Sequence, residues 1–418
     1  MSNFPQFEYR QDTLYAEQVS LETIAQKFGT PCYVYSRAAI AATYEEFQQA
    51  FADDDYLICY AVKANSNLAI LNLLAKLGSG FDIVSGGELQ RVIKAGGDPH
   101  KIVFSGVGKL AEEMRMALAA DILCFNVESI GELQLLNQIA AAMNKTAPVS
   151  LRVNPDVDAR THPYISTGLK ENKFGIPIEE AEHIYLSTDI FPHIRFTGLD
   201  CHIGSQLTEL DPFVQAGERL VSLLTRLQSH NLKITHLDLG GGLGIRYTNE
   251  ALPSIQDYVT ALRKTLGPIK LRLVIEPGRS LIGNAGLLLT RTAYIKHTPE
   301  RHFAIVDAAM NDLMRPSLYK AYHQILPINK RKGGTCNYQI VGPVCETGDF
   351  LGHDRKLSLE AGDLLAVMSA GAYGMSMSSN YNTRPRAAEV MVDEQTVHLI
   401  RARETIDQLI ATEAILPS

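Results

Sequence analysis

YLICYAVKANSNLAILNLLAKLGSGFDIVSGGELQRVIKAGGDPHKIVFS, residues 56–105, carries the pattern that decides the fold. Three short apolar runs, YLICYAV (56–62), FDIV (81–84) and KIVFS (101–105), are separated by LAILNLLAKLG (68–78) and GELQRVIKAGG (87–97). The runs are almost continuously hydrophobic, as parallel strands covered by helices are. The segments between them repeat apolar residues at i, i+3 and i+4, the period of a helix with one buried side. Outward from this stretch the alternation continues. ILCFNV (122–127), VSLRV (149–153), FTGLDCH (196–202), THLDLG (235–240) and LRLVIE (271–276) read as further strands, with helices at 213–230 and 255–267. Eight cycles between residues 56 and 279 predict an α/β fold, a closed (β/α)₈ TIM-like barrel rather than a doubly wound open sheet. SRAAIAATYEEFQQAFA (36–52) is a helix leading into the first strand.

After about residue 281 the texture changes. LLLTRTAYIKH (287–297), HFAIVDA (302–308), NYQIVG (337–342), DLLAVMSAG (363–371) and AEVMVDEQTVHLI (388–400) read as strands, the last folded at DEQT into a hairpin. The expected division is therefore a barrel over residues 30–281 and a mainly β domain made from 1–29 together with 282–418.

Composition narrows the function classes. A net charge of -7 offers no basic stripe for nucleic-acid phosphates. No apolar run reaches membrane-spanning length and the first residues lack a signal pattern, so the cytoplasm is the expected compartment. The six cysteines form no CxxC pair and the 12 histidines no HExxH, so neither a disulfide framework nor a metal site is expected. Most of the cysteines should be small buried hydrophobes.

In such barrels the chemistry sits where the strands end. Strand one delivers Lys63, strand two Asp82, strand five Arg152 and strand six His202 and Ser205. Strand seven runs into LGGGLG with Gly241 and Gly242, and strand eight into EPGR with Glu276, Gly278 and Arg279. Singly, each has an ordinary explanation: lysines at strand ends are commonly solvated, glycines commonly make turns, and Glu276 could cap a helix. Together they suit pyridoxal phosphate (PLP). A desolvated lysine amine can form its Schiff base, and glycine backbone N–H groups can approach its phosphate. A buried carboxylate can keep its ring nitrogen protonated, and an imidazole can lie against its ring.

The strings YAVKAN (60–65), FDIVSGGE (81–88), RVNP (152–155), GLDCHIGSQ (198–206), LDLGGGLG (237–244), EPGR (276–279), CETGD (345–349), AGAY (370–373) and YNTRPRAAEV (381–390) resemble the fold-type III PLP decarboxylases. That family includes the diaminopimelate, ornithine and biosynthetic arginine decarboxylases. The resemblance runs through nearly the whole chain in order. It implies that Lys63 carries the cofactor, that His202 stacks on its ring and that Glu276 faces its pyridine nitrogen. Ser205, Gly241, Gly242, Gly278, Arg279 and Tyr373 would form the phosphate and cofactor shell, with Arg152 and Asp82 close by.

For the substrate, MNDLMRPSLYKAYH (310–323) is similar to the diaminopimelate branch, where Arg315 and Tyr319 would contact substrate carboxylate with Arg279 and Tyr373. CETGD departs mildly from that branch's CESGD, with threonine at 347, and Glu346 stands where the ornithine branch has aspartate. Arginines plus a glutamate suit the distal zwitterion of meso-diaminopimelate, whereas ornithine offers only an ammonium. The resemblance thus implies decarboxylation of meso-diaminopimelate to L-lysine, the last step of lysine biosynthesis. It also implies a homodimer whose sites are shared, with Cys345 as proton donor and Glu346 reaching the partner's barrel. The alternatives are a sister decarboxylase acting on D-lysine, ornithine, arginine or carboxynorspermidine, an inactive regulatory relative, and a barrel racemase. The last is disfavoured because racemases set arginine, not a glutamate such as Glu276, against the ring nitrogen.

Overall fold

Tyr56–Ala61 (β1) forms the first strand of a closed barrel in the computed structural model, which describes residues 4, 6–52, 54–158 and 172–417. Gly80–Ile83 (β2), Ile102–Phe104 (β3), Cys124–Val127 (β4), Ala147–Asn154 (β5), Ile194–Asp200 (β6), His236–Asp238 (β7) and Arg272–Ile275 (β8) follow. Every neighbouring pair is parallel, and β8 closes on β1 through Leu273↔Tyr56, Val274↔Leu57 and Ile275↔Ile58. The TIM-like barrel read from the alternation is the observed architecture. Its strands are buried along nearly their whole length because helices cover their outer side, which is why they read as unbroken apolar runs. Aromatic side chains add to this packing, as where Phe104 and Phe125 of adjacent strands stack at 6.0 Å.

Helix starts are legible in local chemistry. Ser85 caps Gly86–Lys94, its hydroxyl accepting from Glu88 N while Glu88 Oε2 accepts from Val84 N at 2.8 Å. Part of the SGGE string is therefore a helix cap. Ser129 and Ser254 cap Ile130–Ala142 and Ile255–Leu266 in the same way.

Two barrel strands stop two residues short of their expected ends. β6 ends at Asp200 rather than residue 202, and β7 at Asp238 rather than residue 240. The cause at β7 is local. Gly240 N donates to Asp238 Oδ1 at 2.9 Å, and Gly240 turns to φ +67, outside the strand region. His202 and the glycines consequently stand in loops. Lys63 too lies just past its strand, in the single 3₁₀ turn Val62–Ala64.

The chain divides into two compact units, the barrel unit (Ala41–Ile245 and Ala251–Leu281) and a second unit (Met1–Ile40, Arg246–Glu250 and Ile282–Ser418). The second unit is mainly β. Its long strand Gly286–His297 pairs antiparallel with Cys32–Ser36, Leu364–Val367 and His302–Val306. Ala388–Asp393 joins on the other side of Cys32–Ser36 and forms a hairpin with Thr396–Arg401, turning at Glu394 with φ +53. Cys32–Ser36 is not among the strands expected from sequence. Five residues directly ahead of a helix are too few to show a period, and all five are buried at the centre of this sheet. Its core joins Leu14, Leu21, Val34, Leu287, Leu289, Met368 and Val390, each contributing about 1.5–3 kcal/mol by burial. Among the described residues, no helix is long and apolar enough to cross a membrane.

Candidate active site

The C-terminal ends of β1 and β2 bring a lysine and an aspartate together. Lys63 Nζ donates to Asp82 Oδ2 at 2.7 Å, with the Asp82 carboxylate fully buried and the lysine side chain 35% exposed. The other oxygen, Asp82 Oδ1, has no hydrogen-bond partner among the described residues. A second buried lysine, Lys109, makes a useful contrast. Its Nζ donates to Gly106 O, Asn126 O and Glu132 Oε1, which uses all three of its protons structurally.

Beside the Lys63–Asp82 pair lies an acidic cluster. Oxygens of Asp200, Asp238 and Glu276, from the ends of β6, β7 and β8, all lie within 4.8 Å of one another and are buried. Burial pushes Glu276 well above the usual carboxylate range, and repulsion from Asp238, Asp82 and Asp200 adds to it while Lys63 opposes it. Burial likewise raises Asp200, with Asp238 repelling it and Arg152 opposing. Asp238 is pushed up to about 7, mainly by burial, against the Gly240 N–H that favours its charge. Glu276 Oε1 accepts weakly from Ser105 Oγ and Asn126 Nδ2, both at 3.4 Å. Such a cluster holds its protons more tightly than ordinary carboxylates do, and a cation brought against it favours the charged carboxylate.

His202 sits beside the glycine turn. Gly241 N donates to its Nδ1 at 3.1 Å, which leaves the proton of the neutral ring on Nε2. The ring is neutral because desolvation, then Arg152 and Lys63, hold its pKa well below the ordinary value. The turn itself has no room for side chains. A Cβ at Gly241 would lie 2.2 Å from Glu276 O, and one at Gly242, whose φ is +112, 2.6 Å from Gly204 O. The loops after β6 and β7 are laced together by Leu207 N to Gly242 O and Gly244 N to Leu207 O, both 2.9 Å. Ser205 Oγ accepts from Arg279 Nε and Nη2 at 3.3 and 3.1 Å, and Gly278 packs against Ala61 and Ala64. Arg152 is buried, bound to Glu128 Oε1 at 3.1 Å, with Phe174 4.9 Å from its guanidinium.

These residues fit PLP. Backbone approaches that only glycine permits suit a phosphate, the proton-retaining cluster around Glu276 suits a protonated ring nitrogen, and a neutral imidazole stands beside both. Sequence reading missed Asp200, Asp238 and Glu128. The acids are visible in GLDCH, in HLDLG and directly after FNV, but no local pattern there says which way they face.

The remaining residues singled out from sequence belong to the second unit. Arg315 and Tyr319 bound the short helix Arg315–Tyr319, and the buried Arg315 guanidinium lies 5.8 Å from the Tyr319 ring. Cys345 and Glu346 are exposed on a loop anchored by Asp349, which accepts from Met310 N at 2.7 Å and Val344 N at 2.8 Å. Cys345 N donates to Asn382 Oδ1 at 2.9 Å, and Tyr381 OH to Glu346 Oε1 at 2.5 Å. Tyr373 is partly buried with φ +55. Of the other cysteines, Cys32, Cys59, Cys124 and Cys201 are buried and Cys336 is partly so.

Residues 37–283 match the family model of the pyridoxal-dependent decarboxylase, pyridoxal binding domain. A diaminopimelate decarboxylase of Pseudomonas aeruginosa is 59% identical over 98% of this chain and 99% of its own. The diaminopimelate decarboxylase of Helicobacter pylori complexed with L-lysine superposes with a TM-score of 0.91 at 42% identity, covering 94% of this chain and 98% of that one. That of M. jannaschii, in co-complex with L-lysine, gives 0.94 at 40% identity over 100% and 99% of the two chains. A barrel built to hold PLP and these likenesses along the full chain lead to one assignment: the chain belongs to the pyridoxal-dependent decarboxylases and, within them, to the diaminopimelate decarboxylase family.

Proposed function

We propose that the chain removes CO₂ from the D-configured centre of meso-diaminopimelate and releases L-lysine, with PLP held on Lys63. The observation that carries this reading is the buried acid cluster around Glu276, next to Lys63–Asp82 and the Gly240–Gly242 turn. PLP supplies the electron-withdrawing ring that takes up the charge left when CO₂ departs. The chain's own groups do the rest. Asp82 orients the Lys63 amine, and with PLP bound Glu276 would hold a proton on the ring nitrogen and neutral His202 would stack on the ring. Gly241, Gly242, Gly278, Ser205, Arg279 and Tyr373 would hold the phosphate end, with Arg152, fixed by Glu128, near the cofactor. Arg315, Tyr319, Arg279, Tyr373 and Glu346 recognise the substrate, and Cys345 Sγ returns a proton to carbon.

The test is direct. The protein incubated with PLP and meso-diaminopimelate should release lysine and CO₂ in equal amounts. D-lysine, ornithine, arginine and carboxynorspermidine should react at background rates, and faster turnover of any of them would replace the substrate assignment.

The working form we propose is a cytoplasmic homodimer with shared sites. Its support is that Cys345 and Glu346 stand exposed, next to exposed apolar side chains: Tyr381 bonds Glu346, and Ser317, preceding exposed Leu318, bonds Gly348 O at 2.7 Å. Inactive Lys63→Ala and Cys345→Ala proteins, mixed so that subunits exchange, should regain up to about half of normal activity per dimer, since one of two sites is then intact. Exchange verified by mass spectrometry with no recovered activity would refute sharing.

A further inference from the structure

Within the second unit Arg315 is held on several sides. Its guanidinium lies 5.3 Å from the Tyr247 ring centroid and 5.8 Å from that of Tyr319, and its Nε donates to His323 Nε2 at 3.4 Å. His323 is fully buried, and its other ring nitrogen, Nδ1, is 2.8 Å from Met368 O. A carbonyl only accepts, so Nδ1 carries the proton and the neutral ring presents Nε2 as a lone pair toward Arg315.

The imidazole is itself fixed. Its backbone carbonyl accepts from Arg355 Nη2 at 3.0 Å, and Met368 N donates to the adjoining Gln324 O at 2.8 Å. The Tyr247 ring meets it edge-on, with centroids 5.3 Å apart and planes at 79°. Flanking rings restrain the plane of a guanidinium but leave its rotation within that plane loose. A hydrogen bond at Nε removes that freedom and directs the Nη pair, the edge that grips a carboxylate through two parallel bonds.

We propose that His323 is a positioning residue for substrate recognition: through one fixed tautomer it aims Arg315 at the carboxylate on the end of the substrate that does not react. This rests on the reading of Arg315 as a substrate ligand given above. AYH (321–323) holds the residue in the sequence, yet nothing local marks it, since its partners Tyr247 and Met368 lie far away along the chain.

The experiment uses the full chain loaded with PLP and two competitors, L-lysine, which carries the distal carboxylate, and cadaverine, which lacks it. His323→Phe, at unchanged PLP occupancy, should raise KM for meso-diaminopimelate by roughly 10–100-fold while kcat falls much less, and should erode the preference for L-lysine over cadaverine by a similar factor. His323→Gln, whose amide oxygen can stand in for Nε2, should recover most of that preference. Arg315→Ala should abolish it. If Arg315→Ala loses the preference and His323→Phe keeps it, the positioning role is refuted and Arg315 stands. If Arg315→Ala keeps it, the substrate reading of Arg315 fails first. Should the phenylalanine variant not fold, His323→Asn, which keeps a donor for Met368 O but does not reach Arg315, replaces it in comparison with His323→Gln. Equal preference in those two variants would overturn the proposal.

Discussion

Lys63→Ala protein should lose turnover by on the order of 10³–10⁶, the range seen when a covalent catalytic group is removed. After incubation with PLP and borohydride, its mass should show no cofactor attached, where the wild-type chain gains one. The structure adds a second consequence. Asp82 is fully buried and Lys63 Nζ is bonded to it at 2.7 Å, so the substitution strands a carboxylate. Breaking a buried pair costs about 3–5 kcal/mol, but Lys63 is 35% exposed and water screens the contact, so roughly 1–2 kcal/mol is expected. Adding Asp82→Asn should return that stability in a denaturant titration without returning activity. A borohydride-stable adduct on another lysine of the Lys63→Ala protein would show that the cofactor is carried elsewhere.

Glu276→Gln should keep PLP and lose roughly 10²–10³ in turnover. Retention is expected because the Gly241–Gly242 turn, Ser205 and Arg279 do not depend on the charge of Glu276. The rate falls because glutamine has the shape of glutamate but cannot hold a proton on a neighbouring nitrogen by opposite charge. Asp238 and Asp200 remain within 4.8 Å in the wild-type cluster, so near-normal turnover by Glu276→Gln would mean that one of them supplies the charge instead. Visible absorbance of the bound cofactor and lysine release, measured on the same sample, separate the two effects.

Both expectations draw on residues that a reader of the chain can find. Lys63 and Glu276 stand directly after apolar runs, and in a parallel barrel the end of a run is the mouth. What the runs do not reveal is how the mouth is charged. Asp200 and Asp238 sit in the middle of GLDCH and HLDLG, where an acid inside an apolar string could as readily face solvent. The fold buries both beside Glu276, and their proton affinities rise mainly through that burial, with Asp238 repelling Asp200 and Asp82 repelling Asp238.

The sequence by itself determined the barrel, its order of strands, the mainly β character of the remainder and the cofactor class, and it marked Lys63, His202 and Glu276 as candidates. These follow from local signals: hydrophobic period, glycine turns, and the residue type at each strand end. Only the tertiary structure decided that Lys63 is paired with Asp82, that Glu276 belongs to an acid cluster, and that Arg315 stands against His323 and Tyr247. Such contacts join residues from 8 to 76 positions apart. A side chain's neighbours across that separation are set by strand register and loop closure, and no period along the chain encodes them.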